Sequence, residues 1–418
     1  MTVWADRPVG DLIDGLTAGV SVRSTAGGTG GPAVLKTSAI NAGRFELRES
    51  KTILPADIPR ARCHVTAGSM IISRMNTPAL VGDVGYVAEE HDDLYLPDRL
   101  WLARPKRRSN TDMRWLTYFF ASGPGARELR GLATGTSGSM KNIPKGRVLS
   151  LEIAVPSAPE QRAIADALAD ADDLIATLER LIAKKQAIKQ GMMQQLLTGR
   201  TRLPGFNSEW TEILLGDHVN YVKTVALSRA QLDTKSTLKY LHYGDIHTRT
   251  SVLLDAESEE MPRAKMQLAS RAGRLHCGDL VFADASEDPS GVGKSVEIVD
   301  TPDTGVVPGL HTIAARFDKT VLADGFKAYL QFIPSFREQL LRLAAGTKVL
   351  ATTRSYISSV ILMLPEVTEQ SAIADVLHDS EQEIDALRVR LSKARDMKTG
   401  MMQQLLTGRT RLPEGAES

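Results

Sequence analysis

The sequence predicts an α+β protein: two mixed α/β domains joined by two long antiparallel coiled-coil helices, with an internal pseudo-twofold duplication. Three observations predict it. GMMQQLLTGRTRLP stands at 191–204 and again, letter for letter, at 400–413. Upstream of each copy, apolar residues recur at alternating spacings of four and three, the pattern of a coiled-coil seam. The copies alternate with two segments of nearly equal length and unlike sequence, 1–158 and 207–366. A repeat of this kind fixes the architecture before any local reading.

The first domain, 1–158, has β-like runs at 70–73, 84–88 and 148–155 and a helix near 111–121. The first helical segment, 159–206, follows Ser157-Ala-Pro159-Glu160, which matches a capping box with Pro near the first turn. Its seam runs through Ile164, Leu168, Ile175, Leu178 and Ile182, then drifts to Leu181, Ile188 and Met192. Gly199 and Pro204 stop it. The second domain, 207–366, has strands near 280–283, 295–299 and 311–316 and a helix near 324–344. The second helical segment, 367–418, carries the seam Ile373, Leu377, Ile384, Leu387 and Leu391, then Ala394, Met397 and Met401, and stops at Gly408 and Pro413. Its start, Pro365-Glu366-Val367-Thr368, lacks the Ser-x-x-Glu of the first.

The two helical segments align at an offset of 209, with 26 identities in 46 pairs from 159/368 to 204/413. Each predicts a helix of about 40 residues, ~60 Å at ~1.5 Å per residue. A helix that long cannot bury a stripe against itself. The copies therefore pair, and direct repeats meeting through one face are related by a twofold axis. That makes the helices antiparallel, the seam of one meeting that of the other, with a domain at each end of a rod.

Composition narrows the function. Net charge is +1 over 418 residues, so bulk charge does not hold this chain to nucleic acid. Aromatics are 5%, too few to favour a stacking platform for single strands. Cys63 and Cys277 have no CxxC context, which excludes a disulfide framework or a Cys-rich zinc site. The first residues have no signal-peptide pattern, and no stretch approaches a membrane span. A soluble, cytoplasmic protein is expected.

Catalytic motifs fail. Ser290-Gly-Val-Gly293-Lys294-Ser295 resembles the end of a phosphate-binding loop, but Asp288 stands where that loop needs its first Gly. A tight turn between strands is the expectation, with Lys294 free to touch a DNA phosphate. His242 and His247 are five apart and HExxH is absent, so zinc has no ligand set. Asp284, Glu287 and Asp288 read as a solvated loop rather than a magnesium site, although one carboxylate could accept from cytosine N4.

The whole arrangement resembles the specificity subunit of a type I restriction-modification system. The doubled QQLLTGRTRL is similar to that family's conserved-region signature. ISRMNTPALVGDVGYV (72–87) with LYLPDRLWLAR (94–104) resembles one kind of target recognition domain. YLHYGDIHT (240–248), GDLVFADASEDPSGVGKSVEI (278–298) and GLHTIAARF (309–317) resemble another. The resemblance implies a non-catalytic chain that binds a split, asymmetric double-stranded DNA target, one half per domain. It implies two modification (methyltransferase) subunits that methylate an adenine in each half, and restriction (translocase/nuclease) subunits. S-adenosylmethionine, ATP and Mg are then expected only in those partners, in a prokaryotic cytoplasm. The Asp/Asn-Pro-Pro-aromatic motif of amino-methyltransferases is absent. The competing reading is a duplicated coiled-coil scaffold without DNA specificity.

Base readout uses Arg or Lys for guanine and Asn or Gln for adenine. In the first domain Arg74, Asn76, Lys141 and Asn142 fit that chemistry. Lys106, Arg107 and Arg108, with Arg104, suit the phosphate backbone. In the second domain Tyr243, Asp245, His247, Arg354 and Tyr356 form the comparable set. Residues 1–158 carry net +5 and 207–366 net −3, so affinity in the second domain needs a local basic patch. Lys294, Lys348 and Arg354 are the candidates.

Overall fold

The computed structural model describes residues 4–26, 30–135, 140–344 and 349–412. They form two compact units, Met1–Arg180 with Val389–Ser418, and Leu181–Arg388. The four consecutive segments of the sequence thus become two units, each holding one variable domain and part of both long helices.

The first unit is built on a four-stranded antiparallel sheet in the order Val84–Val87, Ser69–Ser73, Leu100–Pro105, Ile13–Ala18. All five residues of Ser69–Ser73 are buried, which is why a central strand reads as an unbroken apolar run. Helix α1 (Met113–Ala121) packs on it, capped by Asp112, whose carboxylate accepts the N–H groups of Arg114 and Trp115. Helix α2 (Gly123–Gly131) follows. A smaller five-stranded sheet made of short strands between Ser24 and Tyr95 adjoins, unmarked by any periodicity. The run expected at 148–155 is not one strand: α3 (Lys145–Leu149) precedes the strand Glu152–Val155, which pairs with Ala5–Pro8. Helix α4 (Ala158–Leu196) starts next.

The second unit repeats this plan. Its sheet runs Ser295–Asp300, Leu280–Ala283, Thr312–Phe317, Val219–Val222, with Leu253–Asp255 added in parallel at one edge. The registers correspond: Trp101 faces Ile72 in the first sheet, and Ile313 faces Phe282 in the second. Thr211–Leu214 pairs with Ile361–Leu364 as Ala5–Pro8 pairs with Glu152–Val155. Helix α5 (Tyr243–Thr248) is short. The helix expected near 324–344 is broken: Lys327–Phe332 is a 3-10 turn, Ile333 is extended, and α6 (Pro334–Leu343) begins at a proline with no N–H to continue a helix. Helix α7 (Arg354–Ser358) completes it, and α8 (Val367–Leu405) starts next. The duplication therefore extends to domains whose sequences no longer show it.

Within each unit the segments of α4 and α8 are antiparallel. In the first unit Glu179 pairs with Arg395 (2.7 Å) and Asp172 with Lys398 (2.6 Å), and Glu160 with Arg411 beyond the helix end. In the second, Lys185 pairs with Glu383 (2.7 Å), Lys189 with Glu381 (2.9 Å) and Arg202 with Glu369 (2.5 Å). The seam does not drift. Beyond Ile182 it keeps its three–four spacing through Lys185, Lys189, Met192 and Leu196, while Leu181 and Ile188 are exposed. In α8 Ala394, Lys398, Met401 and Leu405 continue it, and Met397 is 60% exposed. Lysines at seam positions, paired across the interface, break the apolar stripe without breaking the heptad.

The ends of the two seams do not meet as counterparts. Ile164 and Leu168 are buried in the first domain's core with Leu405 and Leu406. Ile373 and Leu377 are buried in the second domain's core with Leu196 and Leu197. Antiparallel pairing sets the start of each stripe against the end of the other. Ile175, Leu178, Ile182, Ile384 and Leu387 are buried, and Leu391 is half-buried.

Glu160 also departs from the capping box. Ser157 Oγ accepts the Glu160 N–H at 3.4 Å, but the Glu160 carboxylate goes to Arg411 and to Trp4 Nε1 (3.0 Å). Glu369, its repeat equivalent, takes Arg202, which lies over the Trp210 ring as Arg411 lies over Trp4. The second helix therefore keeps the Glu and dispenses with the Ser. Gly199 and Gly408, at φ +67° and +68°, bring the chain against those two rings, where a Cβ would stand 3.2 and 3.4 Å away.

Candidate nucleic-acid interface

In the first domain, four candidate base readers assemble on one two-stranded ribbon. Met75–Asn76 pairs with Lys141–Asn142, Met75 opposite Asn142 and Asn76 opposite Lys141. The Arg74 carbonyl accepts the Ile143 N–H (2.9 Å), extending the ladder. The Arg74 guanidinium carbon lies 5.5 Å from the Trp101 ring centre, and its Nε is shielded from solvent without a hydrogen-bond partner. Asn142 Oδ1 is likewise unpartnered. Asn76 is locally satisfied: its Oδ1 accepts the Thr77 N–H (2.9 Å) and its Nδ2 reaches Ser73 Oγ (3.3 Å). Lys141 Nζ donates to the Gly135 carbonyl (2.5 Å). Arg74 and Asn142 thus hold unspent hydrogen-bonding capacity.

The basic turn does not join them. Leu100, opposite Ser73, starts the strand that ends at Pro105, so Lys106 lies ~20 Å away along it at ~3.3 Å per residue. Lys106 Nζ donates to the Gly10 carbonyl (3.0 Å) and faces Asp11 (3.6 Å). Arg107 and Arg108 are exposed, Arg108 at φ +71°.

The second domain has the same ribbon in Ala285–Ser286 with Leu350–Ala351. Thr352 N–H donates to the Asp284 carbonyl (2.7 Å), as Ile143 does to Arg74. The side chains differ entirely. Asp284 replaces Arg74 and holds His311 Nδ1 at 3.1 Å, and His311 sits at φ +56°, a conformation non-glycine residues rarely adopt. No local sequence pattern marks His311, a left-handed residue between two strands.

Beside this ribbon lies a cleft of about 880 Å³ that takes in Tyr243, His247, Lys294 and His311. Tyr243 meets His247 and His311 edge-on, at ring distances of 6.0 and 5.4 Å. Lys294 is not free for phosphate: its ammonium donates to the carbonyls of His247 (2.6 Å) and Arg249 (3.2 Å), and burial pulls its pKa down. Asp245 is spent on the start of α5, accepting the His242 N–H (3.0 Å). Arg354 is exposed and lies over Tyr221 at 5.4 Å, and Tyr221 donates to the Arg354 carbonyl (2.8 Å). Tyr356 packs half-buried on the domain core. Lys348 lies outside the described residues. After Lys294 comes a strand, not the helix whose N-terminus a phosphate loop requires.

Two copies of one scaffold therefore carry unlike side chains at one equivalent ribbon. Residues 35–190 match the family described as type I restriction modification DNA specificity domain. A Methanocaldococcus jannaschii protein designated provisionally as the MjaX type I restriction enzyme specificity subunit is 20% identical, over 98% of this chain and 94% of its own. The MjaVIII specificity subunit of the same organism is 23% identical over 63% of each. Among solved structures, a type I restriction-modification S subunit from M. genitalium is similar at TM-score 0.58 and 15% identity, covering 97% of this chain and 96% of that one. An HsdS subunit from Thermoanaerobacter tengcongensis is similar at TM-score 0.52 and 17% identity, covering 97% of both. The chain is thus similar to type I restriction-modification specificity subunits, by the family match over residues 35–190 and by a relative that aligns along nearly its whole length.

Proposed function

We propose that each domain reads one half of an asymmetric, split double-stranded DNA target and so directs partner subunits to it. The observation that carries this is the shared ribbon: Arg74, Asn76, Lys141 and Asn142 in one domain, Asp284, Ser286 and the adjoining His311 in the other. One backbone frame with two side-chain sets is what two unrelated half-sites demand. Arg and Asn match guanine and adenine edges, and a carboxylate accepts from cytosine N4.

In this reading two modification subunits methylate one adenine in each half, drawing on S-adenosylmethionine, and restriction subunits supply ATP-driven, Mg-dependent cleavage. This chain contributes the address. Methylome sequencing of a prokaryotic host expressing the complex tests it. The expected result is a bipartite motif with adenine methylated on both strands. A continuous motif, or no methylation with all subunits present, would overturn it.

A further inference from the structure

The second domain contains a cationic recess that no motif in the sequence marks. It has a volume of about 330 Å³ and brings together Lys223, Arg274, His276 and Arg316. The surrounding segment, 207–366, is net −3, so this clustering is local and not a consequence of composition. Of these four side chains, only Arg316 has a carboxylate partner among the described residues: Asp279, gripped through two bonds of 2.7 Å. Lys223 and His276 are exposed. Arg274 packs its chain against Gly305, where a Cβ would stand 2.8 Å from Arg274 Cδ. Its Nη1 is shielded from solvent and has no hydrogen-bond partner. An unpaired guanidinium N–H withheld from water is costly, and an incoming oxyanion relieves it.

The duplicated register supplies a second observation. Arg316 stands three residues after Ile313, and Arg104 three after Trp101, the two residues already matched across the sheets. Arg104 and Arg316 therefore occupy equivalent corners of the two sheets. In the first domain that corner continues into Lys106, Arg107 and Arg108; in the second it is the recess. Two unlike sequences concentrate cations at one position, by an exposed turn in one case and by converging loops in the other.

We propose that the recess is an oxyanion site that holds a backbone phosphate of duplex DNA. This rests on the DNA-reading function proposed above and assigns the second domain's sequence-independent affinity to Lys223 and Arg274. Phosphate contacts position a protein on the duplex and carry no sequence information.

The test compares the full chain, its K223Q/R274Q variant and K265Q, an exposed lysine elsewhere in the domain, binding a random-sequence duplex across a salt series. Each lost phosphate contact lowers the slope of log affinity against log salt by about 0.9, so the double variant should lose about 1.8 and K265Q nothing. The methylated motif in a host should stay the same. If R274Q impairs folding in a thermal melt, K223Q/H276Q, altering two exposed residues, should still lose at least about 0.9. A folded variant with the parent's slope overturns the proposal. So does an unchanged slope with loss of co-purifying modification subunits, which would give the recess a protein partner. If the parent chain, with its modification subunits, binds no duplex, the DNA-reading function itself falls.

Discussion

Residues 1–206 should form a twofold homodimer, and the structure shows how little that exchange costs. Each unit needs the end of the other repeat: Leu405, Leu406 and Arg411 close the first domain. A second copy of 1–206 offers Leu196, Leu197 and Arg202 at the equivalent places. Glu160 regains its arginine, and Asp172 regains a lysine, Lys189 in place of Lys398. Two pairs are lost: Glu179 finds Gln186 where Arg395 would be, and Lys185 finds Leu174 where Glu383 would be. Both pairs are largely exposed, so each loss costs ~0–1 kcal/mol at each of two places. Against this, a monomer would leave a long apolar stripe in water. Light scattering should give a dimer, and with modification subunits it should methylate a palindrome built from the first half-site. R202E should dissociate it and E160R likewise, while an equimolar mixture should re-form a dimer in which both latches are complementary. A stable, DNA-inactive monomer of 1–206 would refute the latch argument, as would a mixture that fails to associate.

Tyr118 donates to Asp172 (2.9 Å), whereas Tyr329, beside the equivalent Glu381, has its buried hydroxyl unpartnered. Y118F should therefore cost about 1.5–3 kcal/mol in denaturant unfolding while Y329F is neutral or stabilising; equal losses would contradict this. R74Q and N142A should change base preference in one half of the methylated motif only, which methylome sequencing reads directly. G309A should lower the melting temperature of the second domain, since a Cβ there would stand 2.4 Å from the Tyr240 ring; an unchanged Tm would show the site can relax. Replacing the seam pair by K189L/E381L should leave stability equal or raise it by about 1–4 kcal/mol, and K189L alone should lower it, because a half-buried carboxylate then lacks its partner.

The helices were legible because their signal is repetition plus period, and both survive without knowledge of the fold. The seam is illegible at Lys185, Lys189 and Lys398: a stripe defined by apolar letters turns aside where the chain places an ion pair instead. Central strands such as Leu280–Ala283 were legible because both faces are buried. The short strands of the first domain's smaller sheet were not, since two or three residues carry no period. At the site, sequence chemistry picked Arg74, Asn76, Lys141 and Asn142 singly, but their union across 65 residues is a tertiary fact. Asp245 and Lys294 looked available because their bonds go to backbone groups, which leave no trace in side-chain identity.

The constancy of the helices and the divergence of the domains have one physical origin. At each helix start one glutamine holds its domain through backbone groups. Gln161 accepts the Asp112 N–H and donates to the Pro156 carbonyl. Gln370 does the same with the Ala323 N–H and the Pro365 carbonyl. Such bonds are indifferent to the side chains of the domain they hold. The latch residues Leu196, Leu197, Gly199 and Arg202, by contrast, meet specific partners: a packed core, the Trp210 ring and the Glu369 carboxylate. Those partners recur as Trp4 and Glu160 in the other unit, so the latch sequence must recur too. A domain can then change its ribbon, and with it the half-site proposed for it, without disturbing the joint that holds it.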